Sequence, residues 1–422
     1  MANNFDSNIT RLLMRRFLKP FESNRVLTRT VDTQLFQGAY NPTSGTTIDV
    51  KRPTDYKSVR TAGGDITGQK DSIITGKATA TTQPFFTVAL DYANVDEAIK
   101  MDQLDELLAP AARRLVTDLE TDFAAYMAKN CNLSYGTPGT AVDAWSDVAG
   151  AGALMSSLGV PTDKDWYYTM SPGQEVALAP AQSALASGAP SLVDTAWGNA
   201  TIRPNFAGMH VMRSNALNSR VVTTAADLVG SLSGNPDATY LAAKDSMTQV
   251  WAVQGFTANA VVKAGDIVEV TGKYRVSGST RLPIFDSAGS QIKFRGVVTA
   301  DVTLSGAGTG NLTIAGPAIY EATGAYNTVA SALATNDVIT ILGTSGATVQ
   351  PALFYHPQAF SIATIKIPKL NTWDTVAVTA DGISIRCTKY ANGDTNTQSV
   401  RFDLYPAYAT LNPFMAGQGF GV

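Results

Sequence analysis

The sequence predicts an α+β chain of several linked modules, in which a strand-rich block is inserted into a larger mixed domain. Three observations predict it. A strongly periodic helix spans Leu104 to Phe123, short alternating strands take over from about Thr223 to Ala347, and mixed helix and strand signals flank that block on both sides. At 422 residues the chain also exceeds what a single hydrophobic core usually serves.

Residues 7–19 carry Ile9, Leu12, Leu13 and Phe17 on one helical face, with Arg11, Arg15 and Lys19 recurring every fourth residue on another. Asp6, Ser7 or Asn8 can cap this helix, and Pro20 is expected to end it. So short a helix is marginal alone, so it needs a bed, either its own fold or a partner. Residues 40–92 turn polar and rich in glycine and threonine, with strand-like stretches at 46–51 and 85–91 around TAGGDITGQKDSIITGK. That pattern predicts a long hairpin reaching over something else.

The strongest helix follows. Leu104, Leu107, Leu108, Ala111, Leu115, Leu119 and Phe123 line one face, acidic Asp102, Asp105 and Glu106 gather at its start, and Arg113, Arg114, Asp118, Glu120 and Asp122 alternate on the polar sides. Pro110 either interrupts it or begins its main run of about 20 residues. Residues 145–222 read as an α+β module, with helical stretches at 174–186 and 191–199 and strands at 166–170 and 209–213.

In the inserted block, 260–270, 291–300, 302–304, 312–314 and 338–342 read as strands, and KAGDIVEV and ATNDVITIL share a turn followed by an alternating strand, as in a small antiparallel barrel or sandwich. Beyond Val349 strands are expected at 359–367, 374–379, 383–389 and 400–411, with ANGD at 391–394 as a hairpin turn.

Charged residues make up only 16% of the chain, below the roughly 25% of ordinary soluble proteins. Interface cores are depleted in charge, so the deficit fits a subunit that covers much of its outside with neighbours; a secreted β-rich protein shows the same bias. A net charge of −3 and a pI near 5.5 give no basic field to collect nucleic acid, so any DNA contact should be loose. Cys131 and Cys387 are too few for a disulfide framework or a zinc site and are expected to be reduced and buried. The first twenty residues lack a leader's apolar core and no stretch approaches the ~18 apolar residues of a membrane span, which predicts folding in cytoplasm without membrane contact.

The usual marks of catalysis are missing from the sequence. His210 and His356 stand far apart without metal-ligand spacing and read as structural; no phosphate loop or nucleophile elbow occurs; and SGAGTG at 305–310 reads as a turn. Asp102, Asp105 and Glu106 answer a helix dipole more simply than they bind a metal. No catalytic, cofactor-binding or metal residue is therefore nominated. The basic face of Arg11, Arg15 and Lys19 has three readings: solvated, membrane-surface, or docking site.

The opening NNFDSNITRLLMRRFLKPF, the segment KRPTDYKSVRTAGGDITGQKDSIITGKAT, the helix EAIKMDQLDELLAPAARRLVTDLE and the close GISIRCTKYANGDTNTQSVRFDLYPAYATLNPFMAGQ together resemble the coat proteins of short-tailed enterobacterial phages. Those form the branch of the Hong Kong 97-like capsid fold that carries an inserted antiparallel β-barrel. The resemblance implies an N-terminal arm (1–39), an E-loop with flanking strands (40–92), a peripheral domain built on the long helix (93–131), a first axial part (132–222), the inserted barrel (223–347) and returning axial and peripheral strands (348–422). It implies a major capsid protein whose copies form hexamers and pentamers of an icosahedral shell, assembled in host cytoplasm with a scaffolding protein and a portal ring, then expanded around DNA. On that reading Arg11, Arg15 and Lys19 bind scaffolding or a neighbouring coat, and Lys51, Arg52, Lys57, Arg60, Asp65, Lys70 and Asp71 lie on an inter-subunit loop. The rivals are a secreted or surface β-rich adhesion protein, which predicts a leader and more cysteines, and a hydrolase, which predicts a nucleophile with its base.

Overall fold

A computed structural model of the chain describes residues 6–33, 45–52, 56, 58–68, 70, 73–93, 104–185, 193, 196, 198–322, 324–372, 374–392, 394 and 397–422. They fall into two compact units, one from Met1–Asp49, Thr79–Ala124 and Phe360–Thr410, the other from Val50–Ala78, Ala125–Ala359 and Leu411–Val422.

The first unit is built on an antiparallel sheet in the order Thr375–Val378, Ser384–Asn392, Thr397–Leu404, Phe86–Ala93. Ile385, Cys387, Phe402 and Leu404 alternate along its strands and are buried, as the period of two requires. The N-terminal helix, Asp6–Ser23, finds its bed here. Leu13, Met14, Phe17 and Phe21 are buried, the Phe17 ring stacks on Phe402 with centroids 4.0 Å apart, and the hydroxyls of Thr10 and Thr375 meet at 2.8 Å. The helix therefore rests on its own chain. It also runs past Pro20, contrary to the sequence expectation. Burying a phenylalanine is worth roughly 1.5–3 kcal/mol, comparable to the ~3 kcal/mol cost of an interior proline, and only a continuing helix brings Phe21 under Phe17. The last turn is closed by Ser23 Oγ and Asn24 Nδ2, which donate to the Pro20 carbonyl at 3.2 and 2.6 Å.

The long helix runs Leu104–Asn130, 27 residues or about 40 Å. Pro110 lies inside it and neither breaks nor starts it. Leu108, Leu115, Leu119 and Phe123 face the core as their spacing predicts, while Leu107 is 58% exposed. Glu120, expected on a polar side, is buried. Its carboxylate accepts from the Leu27 and Thr28 amides at 2.6 and 3.0 Å and from the Thr28 hydroxyl, fixing the turn that follows the N-terminal helix. A second sheet pairs Pro406–Thr410 with Phe360–Thr364 and Lys77–Thr82, and Tyr408 donates to Asp122 at 3.0 Å. The single strand expected at 400–411 is thus two strands in two sheets, broken at Tyr405 because Pro406 has no amide hydrogen to continue the first ladder.

The second unit holds a six-stranded mixed sheet, ordered Leu133–Tyr135, Ala416–Gly419, Ala352–Tyr355, Tyr167–Met170, Met209–Arg213, Asn205–Phe206. Helices Trp145–Leu158 and Pro172–Leu185 belong to the same unit, and Val148, Met155, Leu178, Tyr168 and Phe354 share its core. The first of these helices had no clear sequence signal, because alanine and glycine dilute its apolar stripe.

The strand-rich block is a closed antiparallel barrel of six strands between Val229 and Ile341. Inward positions alternate with outward ones, so Trp251, Val253, Val268, Val270, Phe294, Leu312, Ile314 and Ile339 fill the interior. Closure removes the free edges that would otherwise invite pairing with other chains. The two similar sequence pieces are its neighbours: Val268 pairs with Ile341 and Val270 with Ile339. Their shared feature is a turn in which Gly265 (φ 91°) or Asn336 (φ 69°) takes the left-handed conformation and the next aspartate reaches back, Asp266 to the Lys263 amide at 3.0 Å and Asp337 to the Ala334 amide at 2.7 Å.

Chain enters and leaves the barrel side by side, Arg220–Val221 pairing with Thr348–Val349. The seam with the rest of the unit is polar and directional. Fully buried Asn132 donates through Nδ2 to the carbonyls of Ala315 (2.8 Å), Gly316 (3.2 Å) and Arg295 (3.3 Å), while Arg275 donates back to the Asn132 carbonyl at 3.2 Å. Arg295 reaches the Gly136 carbonyl at 3.2 Å, and Gln418 holds the carbonyls of Ala128 and Gly265 at 2.7 and 3.0 Å. Ile284 and Ile292, from a bent hairpin extending off the barrel, pack into the core beneath the six-stranded sheet.

Asn132→Ala removes the donor and leaves barrel carbonyls buried without it. It is expected to lower stability by about 1–3 kcal/mol, measured as a drop in the thermal unfolding midpoint of the full chain. An unchanged midpoint would show that the seam does not hold the barrel.

Candidate assembly surface

Arg11, Arg15 and Lys19 are all exposed on one side of the N-terminal helix, opposite the buried Phe17 and Phe21, and Leu12 beside them is 39% exposed. None of the three makes an ion pair with a described carboxylate. The helix that presents them is fixed at its C-terminal end by Arg25, whose buried guanidinium donates to Asp381 at 3.0 Å and to the Thr28 carbonyl at 2.9 Å. Burial pulls the Arg25 pKa down against the raising influence of Asp381, and burial pushes the Glu120 carboxyl up against its three donors. The basic face is therefore displayed by a helix already docked, with its side chains free to meet a partner.

The loop charges divide. Lys51, Arg60, Asp65 and Lys70 are exposed, whereas Lys57 and Asp71 lie outside the described residues. The Asp65 carboxylate accepts from the Thr67 amide at 2.9 Å and the Thr67 hydroxyl at 2.6 Å, a local turn that also draws its pKa down. Arg52 requires correction. It is 8% exposed, donates through Nε to the Lys77 carbonyl at 2.9 Å, and bonds the Leu411 carbonyl. Burial lowers its pKa to about 10. Arg52 acts as an internal strut, with Nε and Nη1 engaged by carbonyls of its own chain. Sequence reasoning also passed over Ile66 (49% exposed) and Ile73 (71% exposed), apolar side chains on the same loop that water does not favour. Their signal in the sequence is an isoleucine on each side of Gly68.

The remaining titratable groups are occupied structurally. His210 Nδ1 meets Asn205 Oδ1 at 3.2 Å, and the ring packs edge-on against Tyr167. Cys131 and Cys387 are free and buried, with burial pushing each thiol up to about 12, far from nucleophilic. Glu106 is exposed in the first turn of the long helix, Asp105 lies in the same turn, and Asp102 lies outside the described residues. Among the described residues no group of histidine, cysteine and carboxylate side chains has metal-binding geometry, and no helix is long and apolar enough to cross a membrane. Ser305–Gly310 is a turn, with Ser305 Oγ accepting from the Ala307 and Thr309 amides at 3.2 Å.

Two comparisons of sequence place the chain in one family. A family model described as P22 coat protein, gene protein 5, matches residues 1–421. The major capsid protein of Acyrthosiphon pisum secondary endosymbiont phage 1 is 38% identical over 427 residues, covering 100% of both chains. Among solved structures, a chain of Mycobacterium phage Che8 aligns with a TM-score of 0.47 at 11% identity, covering 93% of this chain and 90% of that one. A chain from the capsid of cyanophage P-SCSP1u aligns with a TM-score of 0.44 at 10% identity, covering 94% and 88%.

His356 yields a pH test. Its ring is buried, Nδ1 accepts from the Gln358 amide at 3.2 Å, Nε2 faces Asp163 at 3.2 Å, and burial depresses its pKa below the usual range. The unfolded chain therefore takes up this proton first, near pH 6.5. The stability tied to neutral His356 is complete above that pH and is lost as pH falls through it. His356→Gln should shrink the fall in unfolding midpoint between about pH 7.5 and pH 5.5; an identical fall would refute the assignment.

Proposed function

The chain belongs to the P22 coat protein family and is a phage major capsid protein, and from that premise we propose that it builds its shell by presenting two kinds of surface to its neighbours: the docked basic helix and the long loop. The observation that carries this reading is the helix. Arg11, Arg15 and Lys19 stand in one exposed row on an element whose opposite face is spent on its own core. A row of cations on a fixed helix suits an acidic partner, and a scaffolding protein or a neighbouring coat subunit is the partner we assign. Exposed ion pairs contribute only ~0–1 kcal/mol each, so the row sets orientation and on-rate more than affinity.

In the same reading residues 1–39 act as the N-terminal arm, 40–92 as the E-loop, 93–131 as the spine of a peripheral domain, 132–222 with 348–422 as axial and returning strands, and 223–347 as the insertion domain. The loop meets an adjacent subunit through Lys51, Arg60, Asp65 and Lys70, with Ile66 and Ile73 supplying the apolar part. Shell building is structural work without catalysis. Assembly takes place in the host cytoplasm around a scaffolding protein and a portal ring, and the packaged DNA is held loosely, in keeping with a net charge of −3. Many modest contacts per subunit then make loss of any one copy rare through multivalency.

Reversing all three charges, Arg11→Glu, Arg15→Glu and Lys19→Glu, should leave the circular dichroism and unfolding midpoint of the monomer near wild type while scaffolding-directed assembly, followed by light scattering and electron microscopy, falls several-fold. Unchanged assembly would remove the docking role. Excision of residues 223–347 with the paired ends joined should give insoluble or misassembling protein, since it strips partners from Asn132, Gln418 and the sheet core; normal shells would mean the barrel is decoration.

A further inference from the structure

The two legs of the long loop meet at Arg52 and at residues 73–77, and the second leg lies against the inserted barrel's short helix, Tyr240–Ala243, and the turn after it. Ile74 packs into a small cluster with Tyr240, Ala243, Met247 and Ile319, and the Tyr240 ring lies flat on Tyr326 with centroids 3.6 Å apart. Gly76 approaches the turn so closely that a Cβ there would sit 2.4 Å from the Lys244 carbonyl oxygen and 3.2 Å from the Tyr240 hydroxyl. The Lys77 backbone lies close enough to the Asp245 carboxylate to help draw its pKa down, the Arg52 amide donates to the Gly76 carbonyl at 2.9 Å, and the Arg52 side chain ties the Lys77 carbonyl.

We propose that the Tyr240–Asp245 segment of the barrel is a clamp on the base of the long loop, so that the direction of the loop and the order of the clamp are energetically coupled. The contacts are all short-range, and the closest one, at Gly76, tolerates no side chain. A loop pulled or turned by whatever binds its tip must therefore either carry the clamp with it or break it. Coupling of this kind is reciprocal: what loosens the clamp frees the loop, and what fixes the loop orders the clamp. The inference concerns a single chain and does not depend on which partner the loop meets.

The test is amide hydrogen exchange on the full-length monomer, before any assembly. Gly76→Val should speed exchange of the Arg52 amide about ten-fold and should also speed the Lys244 and Met247 amides, which in the wild type donate to Tyr240 and Ala243 at 2.8 and 2.7 Å. The Trp251 amide, inside the barrel ladder, should keep its protection. Asp245→Ala, a change at a partly exposed side chain outside the barrel strands, should speed the Arg52 amide several-fold although that amide bonds the Gly76 carbonyl and not Asp245. Faster exchange confined to Lys77 in Asp245→Ala, or a free Arg52 beside an undisturbed Lys244 and Met247 in Gly76→Val, would overturn the coupling. Because no partner is present, failure here leaves the docking role of the basic helix unaffected.

Discussion

The barrel's attachment rests on one constraint: a barrel seated against a neighbouring sheet must satisfy the backbone groups it buries at the joint. Asn132 meets that constraint at the end of the long helix, where one side-chain amide serves three barrel carbonyls and its own carbonyl receives Arg275. Hydrophobic packing is non-directional and would let the barrel slide, whereas hydrogen bonds to particular carbonyls fix one register. Arg275 sharpens the point. Burial, with the nearby Arg295 charge, lowers its pKa to about 9, and it is kept by carbonyl oxygens and by the face of Phe294, 4.8 Å from the guanidinium carbon. Arg220 with Asp266 and Arg295 with Glu269 complete a charged, hydrogen-bonded seam.

The N-terminal helix follows the same logic in the first unit. It might have been a tether, since its sequence is short, basic and interrupted by proline. Stacking of Phe17 on Phe402, burial of Phe21 and the Glu120 cap on the next turn make it part of the core instead. The cationic row is thereby carried on a helix whose backbone is already ordered by its own core. The charges on the loop divide by the same test of burial, with Arg52 committed to its own chain and Arg60, Asp65 and Lys70 turned to solvent.

Much of this was legible in the residues. Period-two alternation located most barrel strands, helical spacing located the long helix, and the interrupted pattern corresponds to a barrel that lies in sequence between the sheet strands Met209–Arg213 and Ala352–Tyr355. Two barrel strands, Val229–Leu232 and Thr248–Gln254, escaped, the first because Gly230 and Ser231 carry no apolar signal and the second because its inward positions include Gln249. Glu120 and Arg52 were misread for a common reason: local sequence shows a charge, and only tertiary structure shows the amides and carbonyls waiting for it. Pro20 was read by its local cost, and the long-range burial of Phe21 decided otherwise. The sites of assembly are the least legible of all, since exposure is a property of the fold and partners leave no periodicity behind.

The central claim is that the chain tiles with copies of itself while its barrel stays bolted to the body through Asn132. A cryo-electron microscopy map of shells formed with the scaffolding protein, at a resolution that shows side chains, tests it most directly. The account predicts Arg11, Arg15 and Lys19 at a partner's surface, the loop around Ile66 against an adjacent subunit, and Asn132 still bound to the Ala315 carbonyl. A shell in which the barrel has left Asn132, or in which the basic row and the loop both face empty solvent, would contradict it.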